Sequence, residues 1–460
     1  LASCRQAEVP TQYTDSSQLP KMYPDYVDVT IPVNIAPLSM ELRQQAQDVV
    51  VRYAAGGEEI VCGGKKAMPD IDDWKALASK AAGGDITVEV FAKNDDKWTR
   101  FKPFAIHVSK DSIDPYISYR LIAPSYVTYE ELTINQRCLE NYDESVIYNN
   151  MLLSVETEGQ CINCHNYQAY NPNRMQFHAR QNHGGTVVAY DGKVKKVNMK
   201  NDSILSAGVY PAWHPWLKLI AYSTNKTMQS FHTRDINKIE VLDSQSDLIV
   251  YDVDKNEVTN IENDSTEFEC YPAWSPDGKW LYYVSAHFEF RDTIPHETEC
   301  IMRSKEIKYS IYRKSFNPET KQFGPREMVF DAASLGKSAT LPRISPDGKY
   351  LLFSMGEWGC FHIWHRDADL YMLRLADNKV WPLTKTNSPQ AESFHNFSSN
   401  GKWIIFSSRR NDGDYTRLFF AHVDADGNTT KAFELPQQDP DYHRMFMKSY
   451  NIPEFMRGPV

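Results

Sequence analysis

YPAWSPDGKWLYYVS, residues 271–285, decides the architecture expected of this chain, because it recurs. YPAWHPWLKLIAYS stands at 210–223, LPRISPDGKYLLFS at 341–354 and FHNFSSNGKWIIFS at 394–407. In each copy a short apolar strand enters a turn and an aromatic and aliphatic strand leaves it. The turn is Ser-Pro-Asp-Gly or Ser-Ser-Asn-Gly in three copies, and the first copy lacks it. Asp-Gly and Asn-Gly suit tight hairpin turns because they tolerate positive φ. A second hairpin follows, clearest at DLIVYDVDKNEV (247–258) and DLYMLRLADNKV (369–380). Four strands per repeat predict a β-propeller blade, an arrangement that hides sheet edges by radial stacking. Four copies are counted. The segments 186–197 and 449–455 are candidates for more, and the blade number stays open.

The Ser-Pro-Asp-Gly-Lys copies resemble the TolB-like (PD40-repeat) β-propeller family. Taken with IDPYISYRLI (113–122), a Cys-x-x-Cys-His run at 161–165 and SSRRNDG (407–413), the chain is similar to Bacteroidetes-type lipoproteins of that kind. The resemblance implies an exported, mainly β protein with a C-terminal TolB-like propeller.

Ahead of the repeats the pattern changes. Strand-like runs at 26–33, 49–53, 86–92 and 98–108 surround a helix predicted over 70–82, with Trp74, Leu77 and Ala81 on one face. The expected division is a tether over 1–22, a β-sandwich-like domain over 23–125, a helical or loop segment over 126–185, and the propeller over 186–460.

The middle segment carries Cys161-Ile162-Asn163-Cys164-His165. That spacing is the attachment signature of c-type haem: two thiols reach the porphyrin vinyl groups and the adjacent imidazole ligates iron. From composition alone the run is expected about 0.004 times in this chain. His165 is then the proximal ligand. His178 is the first candidate for the distal one, with Met175 and His183 as alternatives. A disulfide or free thiols at Cys161 and Cys164 are the competing reading, and a zinc site lacks further ligands at suitable spacing.

The start, Leu1-Ala2-Ser3-Cys4, resembles a lipobox whose Cys4 is acylated, which places the chain on a bacterial outer membrane or in the periplasm, with the membrane and other envelope proteins as partners. Eight cysteines are present; Cys62–Cys138 and Cys270–Cys300 are the simplest bridges. The net charge of −10 and the lack of a basic run disfavour nucleic acid.

Arg343, His395, Arg409 and Arg410 lie in or beside the repeats and are candidates for a propeller mouth that takes an anionic ligand or an acidic peptide, against the plainer role of bonding neighbouring blades. Cys360, His362 and His365 do not share one strand face, which argues against a metal site there. The leading expectation is a lipid-anchored c-type haem protein for electron transfer or redox sensing. The rival is a haem-free propeller lipoprotein acting as a binding or scaffolding subunit of an outer-membrane complex. A propeller hydrolase is a third possibility, although no nucleophile elbow or phosphate loop is present.

Overall fold

Three copies of the repeat close their turns by the same hydrogen bonds. Ser275 Oγ accepts the Trp280 N–H at 3.0 Å and donates to Asp277 Oδ1 at 2.5 Å. Ser345 serves Tyr350 and Asp347 alike, and Ser398 serves Trp403 and Asn400. The glycine after the acid or amide is left-handed in each, at φ 60°, 72° and 68°. In the first copy His214 replaces the serine, and its Nε2 sits 3.1 Å from the carbonyl oxygen of Gly278.

These details come from a computed structural model that describes residues 5–123, 131–152, 159–181, 183–291 and 293–460. Cys4 lies outside the described residues. Among them, no helix is long and apolar enough to cross a membrane.

The chain is mainly β, built of several discrete sheets, none of which closes on itself. A mixed sheet near the N-terminus is formed by Asp48–Ala55, Glu58–Gly63, Asp85–Asn94, Lys97–Arg100 and Phe104–Ser109 with short partners. Helix α1 (Ile71–Lys80) packs on it, capped by Asp70, which accepts from the Asp72 and Asp73 N–H groups, and buries Trp74, Leu77 and Ala78. The core beneath this sheet is continuous with Trp403, Ile405, Phe420, Phe433 and Tyr450 of the last third of the chain.

Besides a small three-stranded sheet of Met22–Tyr23, Met40–Leu42 and Lys66–Ala67, the remaining strands form six antiparallel groups of four. Each group contributes one strand to a common centre: β1 (Ile162–Tyr167), β2 (Val209–Trp213), β3 (Glu267–Trp274), β4 (Ser338–Ile344), β5 (Glu392–Phe397) and β6 (Ser449–Met456). Each packs on the next, and β6 packs on β1. The groups of β2 and β3 merge into one eight-stranded sheet through the parallel pair Ser246–Phe268. β6 does not pair with its neighbours in sequence. It pairs antiparallel with Tyr116–Ile122, which in turn pairs with Thr133–Cys138 and that with Glu144–Asn149.

These pairings correct the expected fold class. A separate TolB-like β-propeller over 186–460, preceded by a sandwich and a haem-binding linker, is not formed. The sheet of β1 runs from Ile162 to Val197 across that boundary, and the sheet of β6 takes three of its four strands from residues 116–149. The segment expected as helix or loop is therefore strand at 133–138, 144–149 and 162–167. The likeness to TolB-like lipoproteins, carried by the Ser-Pro-Asp-Gly-Lys copies, IDPYISYRLI, the Cys161–His165 run and SSRRNDG, implied a closed propeller. It falls because no sheet closes on itself, as does the rival reading of a propeller scaffold in an outer-membrane complex.

The cysteine pairs are also corrected. Cys138, Cys161, Cys164, Cys270, Cys300 and Cys360 are buried free thiols, so neither Cys62–Cys138 nor Cys270–Cys300 exists. Cys62 is disulfide-bonded.

Candidate functional site

The six central strands share an irregularity at one place. In each, the pairing register slips between the residue before and the residue after a two-residue step: 164–165, 210–211, 271–272, 341–342, 394–395 and 452–453. The first residue of each step is left-handed, at φ 58°, 51°, 52°, 55°, 48° and 52° for Cys164, Tyr210, Tyr271, Leu341, Phe394 and Ile452. A β-bulge of this kind leaves one residue out of the ladder, which is why proline is tolerated at the second position in four copies. Histidine replaces it at 165 and 395.

CHNY at 164–167 is therefore the same four-residue unit as YPAW, YPAW, LPRI, FHNF and IPEF. This overturns the haem reading. Cys161 to His165 lie along a β-strand and the bulge that follows, not around a macrocycle edge. His165 is 1 % exposed, and burial pushes its pKa down to about 3. It lines, with Cys164, a cavity of only ≈ 30 Å³, room for about two waters. His395, at the equivalent position, donates from Nε2 to the Leu341 carbonyl at 2.7 Å, so this position faces the preceding strand group. The other candidate ligands are scattered. His178 Nδ1 bonds Thr186 Oγ1 at 3.1 Å, Met175 belongs to the core between sheets, and His183 is an exposed left-handed turn residue. Among the described residues no cluster of His, Cys, Asp and Glu is able to hold a metal ion. Haem c, and with it electron transfer and redox sensing, is withdrawn.

What the bulges do build is a cleft. The third residue of each unit resumes the ladder: Asn166, Ala212, Ala273, Arg343, Asn396 and Glu454. All six line one cleft of ≈ 370 Å³ with Tyr170, Pro215, Pro276, Pro346 and Arg457 around them. Asn166, Arg343 and Glu454 also line the small inner cavity, so they form the waist between the two spaces.

Glu454 is the organising group of the waist. It is 5 % exposed; Asn166 Nδ2 donates to its Oε1 at 3.1 Å and Asn396 Nδ2 donates to its Oε2. Burial raises its carboxyl pKa, while the Arg343 charge and the two amides pull it back. Arg343 stands 3.9 Å from Glu454, and its side chain is 21 % exposed. Among the described residues that guanidinium makes no hydrogen bond, although it carries five donors.

Of the expected mouth residues, Arg343 and His395 line these spaces, whereas Arg409 and Arg410 lie elsewhere. Arg409 stacks 3.9 Å from the Trp364 ring and donates to the Ile363 carbonyl. Arg410 pairs with buried Glu392 at 3.0 Å. Sequence reading passed over Asn166, Asn396 and Glu454. Their signal was present: each is the third residue of an apolar-Pro/His-x-aromatic unit.

No protein-family model matches the chain, and no curated protein matches it. Solved structures show distant likenesses. One is a prolyl endopeptidase at 11 % identity, covering 69 % of this chain and 42 % of that one, TM-score 0.37. Another is the GH74 enzyme of Niastella koreensis at 10 % identity, covering 69 % and 46 %, TM-score 0.36. A third is prolyl oligopeptidase B from Galerina marginata at 10 % identity, covering 87 % and 54 %, TM-score 0.36. The chain spans about half the length of these proteins. Likenesses this distant assign neither fold family nor activity.

Proposed function

We propose that this chain is a binding protein for a small anionic ligand, held in the cleft at the centre of β1–β6 with its negative group on Arg343. The observation that carries the reading is the guanidinium itself. It is half-buried at the cleft wall, and its nearest carboxylate is 3.9 Å away and already engaged by Asn166 and Asn396. Its five donors meet no protein acceptor among the described residues, and a ligand carboxylate or phosphate meets such a fork with two parallel bonds. Arg457 at the rim adds a second positive charge. The cleft volume falls within the range of small-molecule sites.

Calorimetric titration with short carboxylates and sugar phosphates, against their neutral amides and alcohols, tests this. Anions bind and their neutral counterparts do not; Arg343→Gln weakens anion binding by about a hundredfold, the scale of a lost charged hydrogen-bond pair. Equal binding by wild type and Arg343→Gln refutes it.

The disulfide at Cys62 supports a further part of the proposal, an oxidising compartment outside the cytoplasm. Its test is the intact mass of alkylated chain recovered from cells, which retains that bridge if the placement is right and lacks it if the chain is cytoplasmic.

A further inference from the structure

The third residue of the six units is not polar all the way round. It is Arg343 on β4, Asn396 on β5, Glu454 on β6 and Asn166 on β1, four strands in succession, and alanine on the remaining two, Ala212 on β2 and Ala273 on β3. The cleft consequently has a polar half and an apolar half. Two methyl groups stand where the other strands carry long polar side chains, which makes room beside β2 and β3. That side is walled by Pro211, Pro215 and Pro276 with Trp213 and Trp274. The Trp274 indole N–H is already spent on the Ala212 carbonyl at 3.1 Å. The Trp213 indole N–H has no partner but is buried, and Ala212, Ala273 and the prolines carry no polar side-chain atom to meet a ligand as the Arg343 guanidinium does on the other half.

Charge on one side and apolar walls on the other define a ligand with the same division. Resting on the anion-binding reading, we propose that the ligand is an amphipathic carboxylate. Its carboxylate pairs with Arg343, and an apolar body, an aromatic ring or branched aliphatic chain, lies against Ala212, Ala273 and the prolines. The volume of ≈ 370 Å³ admits one ring with a short side chain. Apolar surface buried on that half separates such a ligand from a hydrophilic acid of equal charge by at least about tenfold in affinity.

The probes are 3-phenylpropionate and gluconate, both monoanions, titrated calorimetrically into the full chain and into Ala273→Leu, Ala273→Val and Arg343→Gln. Thermal unfolding of each variant first shows that it is folded. Wild type prefers 3-phenylpropionate by at least about tenfold. Ala273→Leu, or the smaller Ala273→Val where leucine is not tolerated, fills the apolar half and erases that preference while gluconate still binds. Arg343→Gln loses both acids. Equal affinity of wild type for the two, or a preference that survives both Ala273 variants, overturns the amphipathic ligand and leaves the anion reading standing. Unchanged binding of both acids by Arg343→Gln, or binding of neither by wild type, overturns the anion reading and this inference with it.

Discussion

Replacing Glu269 by Gln stabilises this protein at neutral pH, and the gain grows with pH. Glu269 lies on β3, fully buried, and neither carboxylate oxygen has a hydrogen-bond partner. Desolvation, then the neighbouring carboxylates Glu262 and Asp247, push its pKa up to about 8 from 4.5. The acid is therefore protonated in the folded protein at pH 7 and ionised in the unfolded chain. A carboxyl raised in this way contributes its full share of stability below pH 4.5, and loses it as pH rises through the window from 4.5 to about 8. At pH 7 the loss is about 3 kcal/mol, at 1.36 kcal/mol per unit. Gln is a near-isostere that never ionises, and its amide is as unanswered in this site as the neutral carboxyl, so the pH-dependent loss is what the substitution removes. Thermal unfolding followed by calorimetry at pH 5, 6, 7 and 8 reads it. For a chain this long the melting temperature shifts by about 1 °C per kcal/mol, so the variant melts about 3 °C higher at pH 7. The two proteins converge toward pH 5. Parallel pH profiles, or a variant that melts lower at pH 8, refute the reasoning.

Two further outcomes follow from the cleft and the turns. Glu454 has a carboxyl raised by burial, and its negative charge opposes any anion placed on Arg343. Anion binding accordingly tightens as pH falls and takes up protons, which calorimetry in two buffers of different ionisation enthalpy measures; release of protons, or affinity independent of pH from 5 to 8, contradicts it. Gly278 is left-handed at φ 60°, and an added Cβ would stand 2.6 Å from the ring of His214. Gly278→Ala therefore costs about 2–4 kcal/mol, combining backbone strain and overpacking, while Gly348→Ala, with open space around it, loses only the conformational part of about 1 kcal/mol; comparison of the two unfolding midpoints checks the difference.

The turn half of the repeat was fully legible. Ser-Pro-Asp-Gly-Lys names its own conformation, because the serine, the acid and the left-handed glycine bond one another within six residues. Helix α1 was legible for the same local reason: Asp70 caps it, and Trp74, Leu77 and Ala78 fall on one face. The entering half was harder to read, since its recurring feature is a backbone bulge that tolerates Tyr, Leu, Phe, Ile or Cys at its first position and Pro or His at its second. That tolerance produced the false haem signature. Chance estimates treat neighbouring residues as independent, whereas the bulge favours a small set at 164 and 165, and a second thiol at Cys161 completed the pattern. The pairing of residues 116–122 with β6 left no local trace either, because antiparallel register between distant segments is set by the assembled core and not by any short motif. Arg343 was singled out in sequence for its charge; its role in the waist depends on Asn166, Asn396 and Glu454, which only the convergence of three other strands reveals.

The strand that brings Glu454 to the centre is stitched to a segment from the first third of the polypeptide. Loop closure over such a span is entropically costly, and the general tendency is for a seam of this kind to form late. Until it does, Arg343 faces an incomplete wall and Asn166 and Asn396 have nothing to hold. On the anion-binding reading, capture of a ligand then waits for this seam. An anion held on Arg343, on that same reading, would add one more tie among β1, β4, β5 and β6, whose residues Asn166, Arg343, Asn396 and Glu454 already converge from distant points of the sequence.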